Sequence, residues 1–391
     1  MSPSNSIMNT YGSMAIEFEH GEGCYLFDTR GHRYLDAISG IGVCALGHGH
    51  PIIAQAISDQ AHKLMHTSNL YHIGTQQKLA DKLTAVSDMD NVFFGNSGAE
   101  ANEAAIKMAR LYGHNKGINK PKIIVFESSF HGRTLATLTA GGNEKIKQGF
   151  GPLVDGFLRC PYNDAEAVKA LSHDKDIVAI LIEPVQGEGG VNVPSDGYLS
   201  ALRDIADAND WLLMLDEVQS GNGRTGKYFA YQHFNWLPDI VTTAKGLGNG
   251  MPIGACLAQG KAAQLLKPGH HGSTYGGSPL ASAAALATVT TITDNDIIAN
   301  AEKMGKYIVA QFQQKLSQQS KVVSIRGCGL MIGVELDSPC TDLVKKALDK
   351  GFLINVAASK VIRLLPPLII NHEEADSLIN AICELIAEHS H

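Results

Sequence analysis

The residues of this chain best suited to chemistry stand directly behind short apolar runs. Ile240–Thr242 leads through Thr243 and Ala244 to Lys245, and lysine is almost never buried unless it is paired or has reacted. A desolvated lysine gives up its proton and forms a Schiff base with an aldehyde. The plainer alternative lays the stem over apolar surface and leaves the amine in water. Trp211-Leu-Leu-Met-Leu215 ends in Asp216-Glu217-Val218-Gln219. A carboxylate there is partly desolvated and needs a cation, such as a protonated ring nitrogen; otherwise it caps the next turn.

Three further runs end in the same manner. Val92–Phe94 is followed by Gly95-Asn96-Ser97-Gly98-Ala99-Glu100 and a helical pattern. Small residues at a helix start suit a phosphate, which takes the free N–H groups and the positive end of the dipole; an ordinary strand–helix turn has the same composition. No Gly-Lys-Ser/Thr follows, and the motif is not G-x-S-x-G, so neither a Walker loop nor a hydrolase nucleophile at Ser97 is indicated. After Ile123–Phe126 come Phe130, which can stack on a flat ring, and Arg133, which can grip a carboxylate with two N–H groups. Core packing and a surface ion pair are their alternatives. After Val178–Ile182, Glu188 lies in Glu183-Pro-Val-Gln-Gly-Glu-Gly-Gly190 as a site carboxylate or a solvated loop charge. A phosphate cradle, a stacking aromatic, an acid for a ring nitrogen and an imine-forming lysine together describe a pocket for pyridoxal 5'-phosphate (PLP).

The elements that must position these groups follow from the same runs. From about residue 75, nearly continuous apolar segments alternate with helical patterns such as Ala99–Leu111 and Tyr198–Asn209. This predicts an α/β fold around a mostly parallel sheet buried on both faces, with ligands beyond the carboxyl ends of its strands. A hairpin pattern spans 24–36. A long helical stretch follows Pro279, then a second hairpin-like pair (Val322–Ile325, Leu330–Leu336), strand runs at Phe352–Val356 and Val361–Leu365, and a last helix opened by Asn371 and Glu374 as a capping box. The expected division is a large domain over 45–285 and a smaller α+β domain built from 1–44 with 286–391.

Composition narrows the function classes. The 391 residues carry 32 Lys+Arg against 39 Asp+Glu, a net charge of −7, with no basic run, which argues against nucleic-acid binding. Hydrophobic residues at 44% exclude intrinsic disorder. The uncharged stretch Gly272–Thr293 is too rich in Gly, Ser, Thr and Ala for a membrane helix, and residues 1–20 lack the pattern of a targeting peptide. Seven scattered cysteines without C-x-x-C read as reduced thiols of a cytoplasmic protein, with neither disulfides nor a metal site. His48 and His50 read as structural residues of a glycine-rich loop.

The order and wording of these motifs resemble the class III (ornithine-type) PLP-dependent aminotransferases of fold type I over nearly the whole chain. The resemblance is carried by Gly40-Ile-Gly-Val with Leu46-Gly-His, Asn96-Ser-Gly-Ala-Glu-Ala-Asn-Glu103, Ser129-Phe-His-Gly-Arg-Thr134 and Glu183–Gly190. Further on it is carried by Asp216–Gly226, Lys245-Gly-Leu-Gly, Gly272-Ser-Thr-Tyr-Gly-Gly277 and Arg363-Leu-Leu-Pro-Pro367. Ser278 departs from the family pattern, which has Asn there. The resemblance implies that Lys245 forms the PLP Schiff base, that Asp216 pairs with the ring nitrogen, and that Gln219 reaches the phenolic oxygen. It places Phe130 and Val218 on the two ring faces, and Ser97, Gly98 and Ala99 at the phosphate with Thr274 of a second subunit of a homodimer. Arg133 and Ser273 are implied as substrate-binding, Arg363 as the partner of the glutamate α-carboxylate, and Glu188 as the group that masks Arg363. The activity implied is transfer of the terminal amine of an acylated ornithine, N2-acetyl-L-ornithine first, to 2-oxoglutarate, in arginine biosynthesis. Succinylornithine, ornithine, succinyl-diaminopimelate and 4-aminobutyrate are alternative donors. A semialdehyde aminomutase and a dinucleotide oxidoreductase are the more distant readings; the first lacks use for an Arg363/Glu188 pair, the second lacks its G-x-G-x-x-G.

Overall fold

The apolar runs pair as strands in a computed structural model that describes residues 6–12 and 14–389. Three short strands come first: β1 (Phe18–Glu22), β2 (Tyr25–Asp28) and β3 (Arg33–Asp36). Seven more build the central sheet: β4 (Asn91–Gly95), β5 (Lys122–Phe126), β6 (Phe157–Cys160), β7 (Ile177–Ile182), β8 (Leu212–Asp216), β9 (Ile240–Thr243) and β10 (Gly254–Ala258). Their order is β4-β10-β9-β8-β7-β5-β6. The strands β9, β8, β7, β5 and β6 run parallel, and every residue of β7, β8 and β9 is buried. That burial explains why their sequences do not alternate: β7 is apolar throughout, β8 is apolar up to Asp216, and β9 passes from Ile240-Val241 to two buried threonines.

The one reversed strand decides where the functional residues meet. β10 lies antiparallel to both β9 and β4, with Ala255 opposite Thr243 and Gly254 opposite Gly95. Two reversals restore direction, so the carboxyl end of β4 comes to the same sheet edge as those of β5, β7, β8 and β9. Helices Gly98–Asn115 and Tyr198–Asn209 pack on this sheet, the former extending four residues beyond the predicted Ala99–Leu111.

The flanking parts are two four-stranded sheets. One has the order β1-β2-β3-β13, with β13 (Phe352–Leu353) parallel to β3. The other contains β11 (Val322–Cys328), β12 (Met331–Leu336), β14 (Asn355–Ala357) and β15 (Val361–Leu364), in the order β11-β12-β15-β14. The run Phe352–Val356 is therefore not one strand; it divides between two sheets. The helical stretch after Pro279 also divides, into Pro279–Asp294 and Ile297–Lys315, and Ser278 caps the first by accepting from the Ala281 N–H. The last helix, His372–Glu388, carries the Asn371/Glu374 capping box. All seven cysteines are free thiols, and among the described residues no helix is long and apolar enough to cross a membrane.

Candidate active site

A cavity of about 440 Å³ opens at the sheet edge where these strands end, and it is lined by Ser97, Gly98, Ala99, Phe130, Arg133, Asp216, Val218, Gln219 and Lys245. They arrive from four strand ends, those of β4, β5, β8 and β9. Ser97 follows β4 and opens helix Gly98–Asn115, accepting from the Glu100 N–H at 3.2 Å. The N–H groups of that first turn have no intrahelical partner, which leaves an anion cradle at the cavity wall. Gly98 is held close to Val218: a Cβ on this glycine meets Val218 Cγ1 at 2.7 Å. Any side chain there would push apart the cradle and a wall of the cavity.

Asp216 ends β8 and is nearly inaccessible. Its Oδ2 accepts from Asn102 Nδ2 and His131 Nδ1, both at 2.7 Å, and its Oδ1 accepts from the Val218 N–H at 3.1 Å. Asn102 in turn donates to the His131 carbonyl and accepts from Thr242 Oγ1 at 2.6 Å. These bonds immobilise the carboxylate at the cavity edge. Behind it, burial raises the Glu183 carboxyl to about 7, with the His131 imidazole pulling it down and Asp216 pushing it up. Glu183 also accepts from the N–H groups of Phe130 and Gly187, which ties the loop after β5 to the loop after β7.

Lys245 follows β9 in a left-handed conformation, φ +46°, which non-glycine residues adopt at a cost. Burial holds its amine below the ordinary lysine range; Glu188 and Asp216 oppose that shift and Arg363 reinforces it. Among the described residues the amine has no hydrogen-bond partner. The amine therefore gives up its proton more readily than a solvated lysine does, as a group that must attack an aldehyde requires.

Arg363, on β15, is buried behind Gln219. Its Nη1 donates to Glu188 Oε1 at 2.6 Å and to Gln219 Oε1 at 3.3 Å, while Nε and Nη2 donate to Asn355 Oδ1 at 3.2 and 2.8 Å. The predicted Glu188–Arg363 pair is thus formed, from residues 175 positions apart. Arg133 is exposed at the cavity with its guanidinium 5.8 Å from the centre of the Phe130 ring. Four predicted residues lie outside the cavity lining: Glu188 and Arg363, which form the pair just described, and Ser273 and Thr274. Ser273 Oγ accepts from Asn96 Nδ2 at 3.1 Å and from the Gly276 N–H at 3.0 Å, and Thr274 is exposed.

Sequence reasoning missed Asn102, His131, Glu183 and Asn355. Three of these lie within motifs already singled out, and their types were the available signal: an amide, an imidazole and a carboxylate beside otherwise apolar strand ends. Asn355 sits in a small strand with no such mark. His48 is structural, its Nε2 bonded to Asp36 Oδ2 at 2.8 Å.

The family model for aminotransferase class-III matches residues 7–386. The chain belongs to this family, whose members depend on PLP. It is 55% identical over 381 residues to the acetylornithine aminotransferase of Nitrosomonas europaea, a match covering 97% of each chain. It is 48% identical to that of Aquifex aeolicus, covering 97% of this chain and 99% of the relative. Among solved structures it superposes on the N-acetylornithine aminotransferase of Stenotrophomonas maltophilia with a TM-score of 0.84 at 35% identity, covering 96% of this chain and 97% of that one. The ornithine aminotransferase of Toxoplasma gondii, whose crystal structure in the presence of oxidized glutathione shows partial occupancy of PLP, gives a TM-score of 0.95 at 32% identity, covering 98% and 92%.

Proposed function

We propose that this class-III aminotransferase moves the terminal amine of N2-acetyl-L-ornithine to 2-oxoglutarate, giving N-acetyl-L-glutamate 5-semialdehyde and L-glutamate in arginine biosynthesis. What carries the reaction type is the meeting of a half-buried, unpartnered Lys245 amine and an immobilised Asp216 carboxylate at one cavity. What supports the donor is the name of relatives 48–55% identical over nearly their whole length.

The residues present fit PLP: an anion cradle, an enclosed amine, and an acid held by three donors. When bound, the cofactor supplies an aldehyde for the amine and a ring that takes up the electrons of a breaking C–H bond. Ser97, Gly98 and Ala99 hold its phosphate, Phe130 and Val218 its ring, Gln219 its phenolic oxygen and Asp216 its ring nitrogen. Lys245 Nζ takes the proton from the substrate carbon and returns it. Arg133 binds the distal carboxylate, with Ser273 nearby, and Arg363 binds the α-carboxylate of glutamate once Glu188 has moved aside. With the donor, Glu188 neutralises Arg363.

Thr274 completes the phosphate site from the second subunit of a homodimer. Leu70, Tyr71 and Tyr275 are 87%, 69% and 64% exposed, and Asn69 joins their loops by donating to the carbonyls of Ser273 and Gly276. An apolar surface of that kind beside Thr274 suits a second copy of the chain. The same reading divides the chain into a large domain over 45–285 and a small one from 1–44 with 286–391, and places the enzyme in the cytoplasm.

The test is a donor panel with 2-oxoglutarate as fixed acceptor. N2-acetylornithine should give the highest kcat/KM among succinylornithine, ornithine, succinyl-diaminopimelate and 4-aminobutyrate. A higher value for another donor refutes the substrate, and no glutamate from any donor refutes the reaction.

A further inference from the structure

Glu188 stands at the tip of a short loop whose ends are bridged, Gln186 against Asn192. From behind, Arg326 of β11 grips this loop. Its Nε donates to the Val191 carbonyl at 2.9 Å, its Nη2 to the Gly190 carbonyl at 2.6 Å, and its Nη1 to Glu335 Oε2 at 2.7 Å. Glu335 is also paired with Lys360 at 2.8 Å, so the guanidinium is oriented from its far side. One planar fork spanning two adjacent carbonyls is a geometry that lysine cannot reproduce.

The gripped backbone is unusual. Val191 is buried and β-branched yet has φ +53°, and it packs against Gly333, where an added Cβ would come within 3.0 Å of Val191 Cβ. Such conformations persist only where their surroundings over-determine them. Here that is done by the fit against β12 and by the arginine bond to the strained residue's own carbonyl. Gly190, at φ +112°, precedes it and leaves no side chain between Arg326 and the loop.

We propose that Arg326 is a positioning residue: it fixes the loop so that the Glu188 carboxylate is presented to Arg363, and so sets the balance between amine donor and dicarboxylate acceptor. The inference rests on the reading of Glu188 and Arg363 as a mask and its target. A carboxylate on a fixed backbone loses little freedom when it pairs, and therefore pairs more tightly. Once the loop loosens, a dicarboxylate displaces Glu188 more readily, while a donor that brings no carboxylate to Arg363 loses the group that neutralises it. The mask moves by side-chain rotation with the backbone held in place.

Arg326→Lys keeps a cation beside Glu335 and removes the two-carbonyl grip. In the holoenzyme, the ratio of kcat/KM for N2-acetylornithine to that for 2-oxoglutarate should fall by about fivefold, the equivalent of losing part of one charged hydrogen bond. Glutarate should bind more tightly, and amide hydrogens of residues 186–192 should exchange faster. In a Glu188→Ala background the same substitution should leave the ratio unchanged. Equal losses for both substrates, an equal shift without Glu188, or unchanged exchange would overturn the proposal. Should Arg326→Lys fail to fold, Glu335→Gln, which releases the far side of the guanidinium, carries the same expectation at smaller size. A wild-type enzyme inactive on both substrates refutes the functional reading and this inference with it; an active one with an unmoved ratio refutes the inference alone.

Discussion

Replacing Asp216 by Asn separates the chemistry of this residue from its place in the fold. Both oxygens accept: Oδ2 from Asn102 and His131, Oδ1 from the Val218 N–H. An amide keeps two of these bonds by turning its oxygen to Asn102 and His131, which sets its NH2 against the Val218 N–H. One buried donor then goes unpaired, at about 1–3 kcal/mol, so the protein should fold and melt a few degrees lower. The chemical loss is larger. Deleting one charge of a buried pair costs about 3–5 kcal/mol, so turnover should fall by about two to four decades. The assay is glutamate formation from N2-acetylornithine and 2-oxoglutarate at saturating cofactor, beside a thermal melt of the same sample. Near-normal turnover would refute Asp216 as the partner of the ring nitrogen. Lost turnover with a collapsed melt would show instead that its three hydrogen bonds are mainly structural.

The remaining predictions use other readouts. Borohydride reduction of the holoenzyme should place a PLP adduct on the Lys245 peptide, and Lys245→Ala should abolish both adduct and turnover; an adduct elsewhere defeats the assignment. Burial lowers the His48 imidazole, but its bonds with Asp36 and Cys44 outweigh this and raise it to about 9 from 6.5. The protonated form is therefore favoured by folding, so this contribution is complete below pH 6.5 and disappears as pH rises through 9. His48→Gln should flatten that part of the Tm–pH curve, and parallel curves for the two proteins would contradict it. Leu70→Glu places a charge on the exposed apolar surface beside Thr274 and should shift sedimentation toward monomer with weaker cofactor binding; an unchanged sedimentation coefficient removes that surface from the interface.

What could be read from the sequence, and what could not, follows from how each feature is encoded. Buried parallel strands are written as apolar runs without alternation, so β7, β8 and β9 were legible, and with them the residues placed just beyond. The rule that ligands sit at carboxyl ends then turned linear positions into a site, and Lys245, Asp216, Phe130 and Ser97 do line one cavity. The edge strand β6 escaped notice because Phe157-Leu-Arg-Cys160 is only partly buried and its Arg159 interrupts the apolar pattern. The boundary inside Phe352–Val356 was equally hidden, since neither fragment's composition says which sheet it joins.

Contacts between distant segments follow a different logic. Glu188 and Arg363 were paired from family resemblance alone; no local signal links a glycine-rich loop after β7 to a strand of the smaller sheet. Arg326 shows the cost of that blindness most clearly. In sequence it is one basic residue in a hairpin, indistinguishable from a solvated charge, yet in the fold its guanidinium spans the carbonyls of Gly190 and Val191. The groups that perform chemistry are marked by being polar where the pattern is apolar. The groups that hold them in place are marked only by where their hydrogen bonds go, which becomes visible when β11, β12 and the loop after β7 are seen together. Substrate preference should therefore respond to substitutions on β11 and β12 that leave every residue of the cavity untouched.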